Sequence, residues 1–394
     1  MQASSDLVER SGALKQELVH FAQQPPFARR LRQQLRRRVD QRGPMNDSKL
    51  IDLLDRFILE HRLADGRTVV EHFVRKHPEL PEEERAMLLG WRDVVEGIFQ
   101  IQRPEGEALV VVNLIDDLTY RVRSNMGPAV FARMQPGSFL VARLVPVSDE
   151  WLLSGTMSTI PAADRDEVYS LAAEVATQHP SLVFRNPERL ARGWELQREE
   201  RDHFMAFFGS DVVVLPGSEL AERMRAYAHF RTYEVRNAEG KSAADRAQEL
   251  HGVVPREPEF PIPADLSAAD TVGIIYDEVE GLSFFANFAV LEETFADPAL
   301  AARRDHRQAV LGYLKAPSVS PLPFRRLAER DPERASRVFE RILKRPGFQW
   351  EQDGESLLRC YKASHYERPV LPSVTPLSGV LVRAKLAASD AGHT

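Results

Sequence analysis

At about Ile98 the apolar residues of this 394-residue chain stop recurring every three or four positions and begin to alternate or to cluster in short runs. Five such runs follow, at 98–102, 108–115, 118–123, 138–145 and 151–159, rich in Val, Ile, Leu, Thr and aromatic residues. The turn formers Pro104-Glu105-Gly106, Asp116-Asp117, Pro136-Gly137 and Ser148-Asp149-Glu150 separate them. Tyr120 and Val122 alternate with Arg121 and Arg123, as in a strand with one wet face. Five short strands in a flat sheet would leave two edges open to foreign pairing. A small closed antiparallel barrel is the economical arrangement.

On either side the period is helical. Asp47 or Ser48 is placed to cap a helix through Leu50, Ile51, Leu54, Phe57 and Ile58 to Leu63, and Thr68 opens a second helix ending near His77. Pro81-Glu82-Glu83-Glu84 starts a third, carrying Met87, Leu88, Leu89, Trp91, Val94, Val95 and Ile98. The fold class expected is therefore α+β, mostly helical with a small five-stranded antiparallel β-barrel inserted near residues 98–160. The organisation reads as a basic helical arm (1–44), a helical region (45–97), the barrel (98–160) and a helical middle region (161–254). A proline-rich linker (255–265) and a helical C-terminal unit with a proline-rich tail (266–394) follow. Within the middle region 211–215 reads as a short strand, and 272–276 is an apolar, strand-like run.

No stretch approaches the ~18 consecutive apolar residues that a membrane span requires, so no membrane partner is expected. The single cysteine, Cys360, excludes a disulfide framework and a zinc site built on paired cysteines, and it reads as packed in a helix. With no basic-then-apolar leader at the N-terminus, the expected location is cytoplasmic.

Charge is uneven. Residues 1–45 hold nine Lys and Arg against four acids, a net of +5, so the remainder carries −11 of the overall −6. The basic density peaks at Arg29, Arg30, Arg32, Arg36, Arg37 and Arg38, while Leu31, Leu35 and Val39 recur at i, i+4, i+8. Such a helix either neutralises phosphates of a nucleic acid or docks on the acidic body behind it. Met45, after Arg42-Gly43-Pro44, is a second candidate for the start of translation.

Three further patterns bear on chemistry. Asp277, Glu278 and Glu280 follow the run 272–276 and offer carboxylates of the kind that hold Mg²⁺, with Glu292 and Glu293 one helix on. Gly240-Lys241-Ser242 ends like a phosphate-binding loop, but Val235 stands where the first glycine belongs, and Ser242-Ala-Ala-Asp245 reads better as a capping box. Glu199 and His203 are four apart on one helix face, a spacing open to proton transfer. No HExxH, GxSxG or GxGxxG is present, and no cofactor is expected. Residues 96–160 carry Arg103, Arg121, Arg123, Arg133 and Arg143 against seven acids, a poor footprint for a phosphate backbone.

The stretches 63–68, 136–146, 151–155, 275–281 and 320–332 resemble bacterial proteins of the SEC-C-motif-associated type, a group with no assigned activity, some of which carry a C-terminal SEC-C zinc motif. The resemblance covers most of residues 45–376. The tail 381–394 has no cysteine, so no metal role follows from it. The residues point first to a non-enzymatic interaction or regulatory protein with a macromolecular partner, protein before nucleic acid. The alternatives are a nucleic-acid-associated factor using the basic helix, and a metal-dependent hydrolase centred on Asp277, Glu278 and Glu280.

Overall fold

The change of period falls inside β1, Val95–Glu105, the first of five strands joined in one sheet in the computed structural model of the chain. Residues 2–42, 46–252 and 261–391 are described. The other strands are β2 (Ala108–Asn113), β3 (Thr119–Arg123), β4 (Phe139–Val147) and β5 (Glu150–Ile160). β1 pairs with β2 and β4, β2 with β3, and β4 with β5, all antiparallel. A parallel pairing of β3 with β5, Val122 opposite Trp151 and Arg123 opposite Leu152, closes the barrel.

The sheet is thus mixed, which corrects the all-antiparallel expectation. Strand directions cannot alternate without exception around a ring of five, so one neighbouring pair has to run the same way. Residues 124–138 arrange it by carrying the chain away from β3 to begin β4 beside β1. Inside the barrel Phe99, Ile101, Leu109, Val111, Tyr120, Val122 and Leu144 are buried, while Arg121 and Arg123 lie on the outer, wetter face. The pairing of β4 with β5 slips between Val141 and Arg143, opposite Gly155 at φ +72°. Such bulges bend a strand and re-aim its side chains.

The chain divides into two compact units, residues 1–186 with 377–394, and residues 187–376. In the first, α1 (Gln2–Ala22), α2 (Phe27–Arg42), α3 (Asp47–Leu59), α4 (Val69–Lys76) and α5 (Glu82–Gly90) precede the barrel, and α6 (Arg165–Gln178) and α7 (Pro180–Val183) follow it. Asn46, not Asp47 or Ser48, caps α3, its side chain accepting Lys49 N–H at 3.0 Å. Thr68 and Glu71 form a capping box at α4. α5 stops at Gly90, so Val95 and Ile98, expected on that helix, belong to β1. The first 42 residues are no loose arm: Leu14, Leu18, Phe21, Phe27 and Leu31 share one core with Phe57, Ile58, Val70 and Phe73 and with Val145 and Leu152 of the barrel. Met45 lies outside the described residues.

The second unit contains α8 (Pro187–Phe208), α9 (Leu220–His229), α10 (Ala243–His251), α11 (Ala264–Ser267), α12 (Phe288–Ala296), α13 (Arg304–Lys315), α14 (Leu322–Arg330), α15 (Pro332–Leu343), α16 (Trp350–Tyr361) and α17 (Ala363–Tyr366). It also holds a three-stranded antiparallel sheet, β6 (Val212–Leu215), β7 (Val272–Asp277) and β8 (Gly281–Ala286), with β7 central. β6 and β7 fall on the runs 211–215 and 272–276, and β8 is the strand that the helical reading of 266–394 did not contain. Residues 272–276 of β7 are buried because the strand is covered on both faces, and Asp277 at its end is partly exposed. Of the linker expected at 255–265, residues 255–260 lie outside the described residues, and the division between units falls elsewhere, at 186–187 and 376–377. The proline-rich tail is tied down at Ser373, whose N–H and hydroxyl reach Gln197 Oε1 at 2.6 and 2.9 Å. α18 (Gly379–Ala391) belongs to the first unit, where Leu381 is buried with Val168, Ala172 and Ala176 of α6. Among the described residues no helix is long and apolar enough to cross a membrane.

Candidate functional site

α2 docks through its apolar stripe. Phe27 and Leu31 are 6% and 8% exposed and Leu35 is half-buried against the α1–α3–α4 core. Positions i, i+4, i+8 fall on one helix face, so docking that face turns the arginines elsewhere. Arg29, Arg32, Arg36, Arg37 and Arg38 are exposed and Arg30 is half-buried. Arg32 Nε donates to Ala28 O at 3.2 Å within the helix itself. None of the six pairs with a carboxylate among the described residues. Elsewhere in the same unit pairing is common: Arg10 with Glu84, Arg92 with Glu71, Arg103 with Glu105, Arg123 with Glu107, Arg185 with Asp93.

Beside α2 lies a cleft of about 910 Å³ lined by Arg37, Arg38, Lys49, Arg56, Asp52, Glu60, His61 and Glu96, among others. Its acids already have partners. Arg56 pairs with Glu96, Arg143 with Glu60 and with Glu96, and Asp52 accepts from Thr156 N–H at 2.9 Å and from its hydroxyl at 2.8 Å. Arg37, Arg38 and Lys49 have no such partner among the described residues. Burial, with the positive charge of Arg30, pushes His61 below the usual histidine range, so it adds no cation of its own near neutral pH.

Behind this cleft is a buried charge cluster with no obvious sequence signature. Asp55 of α3 and Arg143 of β4 are each 3% exposed, with Arg143 Nε 3.1 Å from Asp55 Oδ2. Lys15 of α1 pairs with Asp55 and donates to Ser154 Oγ at 2.6 Å, and the Ser154 hydroxyl donates to Asp55 Oδ1 at 2.8 Å. Burial raises the Asp55 carboxyl, but Lys15 and Arg143 outweigh it and hold the group below the usual carboxylate range. A serine beside a lysine suggests nucleophilic chemistry, which needs a neutral amine to take the hydroxyl proton. Here the Lys15 amine is engaged by the Asp55 carboxylate as well as by Ser154, so the trio works as a clamp between α1, α3 and the barrel.

The acidic loop is the turn between β7 and β8. Asp277 Oδ1 accepts Val279 and Glu280 N–H at 2.8 and 3.0 Å, and Arg326 donates to its Oδ2 at 3.0 Å. Glu278 lies 3.7 Å from Arg201 and Glu280 3.5 Å from His365 Nε2. Glu292 pairs with Arg330 at 2.7 Å, and Glu293 lies 3.5 Å from His306. Each carboxylate thus has a separate cationic or imidazole neighbour. Among the described residues no group of three or more His, Cys, Asp or Glu side chains is placed to hold a metal ion.

The remaining candidates also resolve. Glu199 accepts from Arg192 at 3.0 Å, and His203 Nδ1 is buried without a hydrogen-bond partner, so the two do not form a proton-transfer pair. Ser242 and Asp245 bond reciprocally at 3.0 and 2.8 Å as a capping box. Cys360 is exposed, which corrects its reading as a packed residue. It falls on the outer side of α16, whose buried positions are Gly354 and Leu358. No family model, curated protein or solved structure matches the chain.

Proposed function

We propose that the protein is a non-enzymatic binding protein of the cytoplasm whose α2 face engages the phosphate backbone of a nucleic acid. The supporting observation is the set of arginines on α2 without carboxylate partners among the described residues, in a chain whose net charge is −6. The competing idea, an acidic body that absorbs those charges internally, loses force because α2 docks through Phe27 and Leu31 while the nearby acids serve Arg56, Arg143 and Thr156. Backbone binding of this kind is driven by release of counterions. With about five phosphates neutralised, affinity falls on the order of 10²–10³-fold between about 50 and about 200 mM salt. Fluorescence anisotropy with labelled oligonucleotides tests it. The triple variant Arg36→Gln/Arg37→Gln/Arg38→Gln is expected to flatten the log–log salt slope by about two to three. Absence of binding at the lower salt, or a slope the variant leaves unchanged, refutes the reading.

A protein partner is the second reading, and a different surface favours it. A cleft of about 360 Å³ between α1, α3 and β5 is lined by Ile51, Leu54, Met126 and Met157, with Ile51 49% and Met126 70% exposed. Exposed apolar residues grouped at a cleft mark contact sites more often than scattered ones do. If this surface holds a partner, Ile51→Asp/Met126→Asp abolishes its retention and leaves salt-dependent nucleic-acid binding intact. Retention undiminished in that variant removes the second reading.

A further inference from the structure

A third cleft, of about 550 Å³, opens where the α1–α2 turn meets α4. Arg30 of α2 and Arg75 and Lys76 from the last turn of α4 line it. None of the three has a carboxylate partner among the described residues. The acid in the lining, Asp65, is engaged by Arg67 at 3.3 Å and by His72 at 3.0 Å. The remaining local countercharge is the C-terminal end of α4, worth roughly half an elementary charge against three full ones. Positive charge in excess, held in a concave site, is what an anionic ligand group requires.

Most of the remaining lining is apolar. Pro25 and Pro26 line the cleft and are exposed, and the buried Phe21 and Phe27 line it as well. Lys76 Nζ sits 5.5 Å from the centre of the Phe21 ring. A convex basic ridge is enough to follow the phosphates of a duplex, whose bases stay stacked inside. A hollow lined by both cations and apolar side chains suits a phosphate whose base has turned out of the stack.

We infer that this cleft binds a single unpaired nucleotide, its phosphate held by Arg30, Arg75 and Lys76 and its base laid against the Pro25–Pro26 wall. The nucleic acid met by α2 is therefore single-stranded where it crosses this point. The inference deepens the α2 reading and rests on it for the strand beyond the cleft. The geometry of α2 is consistent with both contacts on one strand, since Arg30 and Arg37 lie seven residues apart, about 10 Å along the helix axis.

The test compares the full chain with Arg75→Gln/Lys76→Gln, two exposed side chains whose loss breaks no ion pair among the described residues. Labelled single strands and duplexes of about 16 nucleotides are titrated by anisotropy, with a nucleoside monophosphate and inorganic phosphate as competitors. The single strand is expected to bind at least about tenfold more tightly than the duplex, because stacking adds to the phosphate contacts. The double variant should abolish that preference while duplex binding changes little, and Arg75→Lys/Lys76→Arg should restore it. The nucleoside monophosphate should compete at concentrations where inorganic phosphate does not. Equal single-strand and duplex affinity, unchanged in the cleft variant but weakened by the α2 triple variant, overturns the inference and leaves the α2 reading standing. Equal competition by both small ligands reduces the cleft to a plain anion site and likewise overturns it. No binding of either polymer at low salt removes both.

Discussion

The Arg143 guanidinium of β4 approaches the Asp55 carboxylate of α3 to 3.1 Å, in a place where each residue is 3% exposed. Lys15 and Ser154 complete the coordination of that carboxylate, so one acid joins α1, α3 and two strands of the barrel. Removing one partner of a buried pair strands the other in a poor solvent for charge. Asp55→Asn is expected to destabilise the protein by about 3–5 kcal/mol, read as a lower urea midpoint. A change below about 1 kcal/mol would mean that water or Glu60 and Glu96 satisfy Arg143 unaided.

The same carboxylate sets a slope on the acid side. Asp55 titrates below its ordinary range in the folded state, and at about 3.9 in the unfolded chain. As pH falls below that unfolded value, the unfolded chain takes up the proton first, and stability drops. The contribution is complete above the unfolded value and disappears as pH falls through the folded one. Urea unfolding between about pH 5 and pH 2 should therefore be less steep in Asp55→Asn than in the wild type.

Two glycines in the second unit predict opposite signs. A Cβ on Gly273 of β7 would lie 2.7 Å from Cβ and Cδ1 of the fully buried Phe288. Gly273→Ala should cost about 1–3 kcal/mol, since Phe288 has nowhere to go in a closed core. Gly312 sits in α13 without a positive φ, and a Cβ added there would meet nothing within 4 Å. Gly312→Ala should stabilise by about 0.5–1 kcal/mol by restricting the unfolded chain and favouring the helix. Thermal melts of the two variants should shift in opposite directions.

What could be read from the chain before its structure depended on whether the deciding contacts were local. The alternation of Tyr120 and Val122 with Arg121 and Arg123 is local, and the barrel strands were legible from it and from the turn formers. The parallel β3–β5 pairing was not, because it depends on where residues 124–138 lead the chain, although an odd ring demanded a parallel pair somewhere. β8 escaped because Leu282, Ser283 and Phe284 are all half-buried, so its sequence shows no clean alternation. The Asp55 cluster joins residues 40 and 88 positions apart. Its local trace is an acid lying one turn from Ile51 and Ile58, on a helix stripe otherwise apolar. The basic character of α2 was plain, but its freedom from carboxylates follows from how Glu60, Glu96 and Asp52 are engaged elsewhere.

Lys362 supplies a test on the alkaline side. It is 1% exposed, and its ammonium donates to the carbonyls of Tyr313 at 2.6 Å and Ala316 at 2.5 Å, closing the C-terminal end of α13. Burial pushes its pKa down to about 8 from the ordinary 10.5. Between those values the unfolded chain is protonated there while the folded one is not, so the unfolded state binds more protons. Stability gains from this residue as pH rises through that window, by about 1–3 kcal/mol in all, and nothing further is gained above it. Lys362→Met lacks the titrating group and should lose that gain, so the difference in unfolding free energy between wild type and variant should shift in favour of the wild type from pH 8 to pH 10.5. Other alkaline titrations, such as those of the buried tyrosines, are common to both proteins and cancel in the difference. A difference that stays flat across the window would show that the two carbonyls hold the ammonium form as firmly as water does.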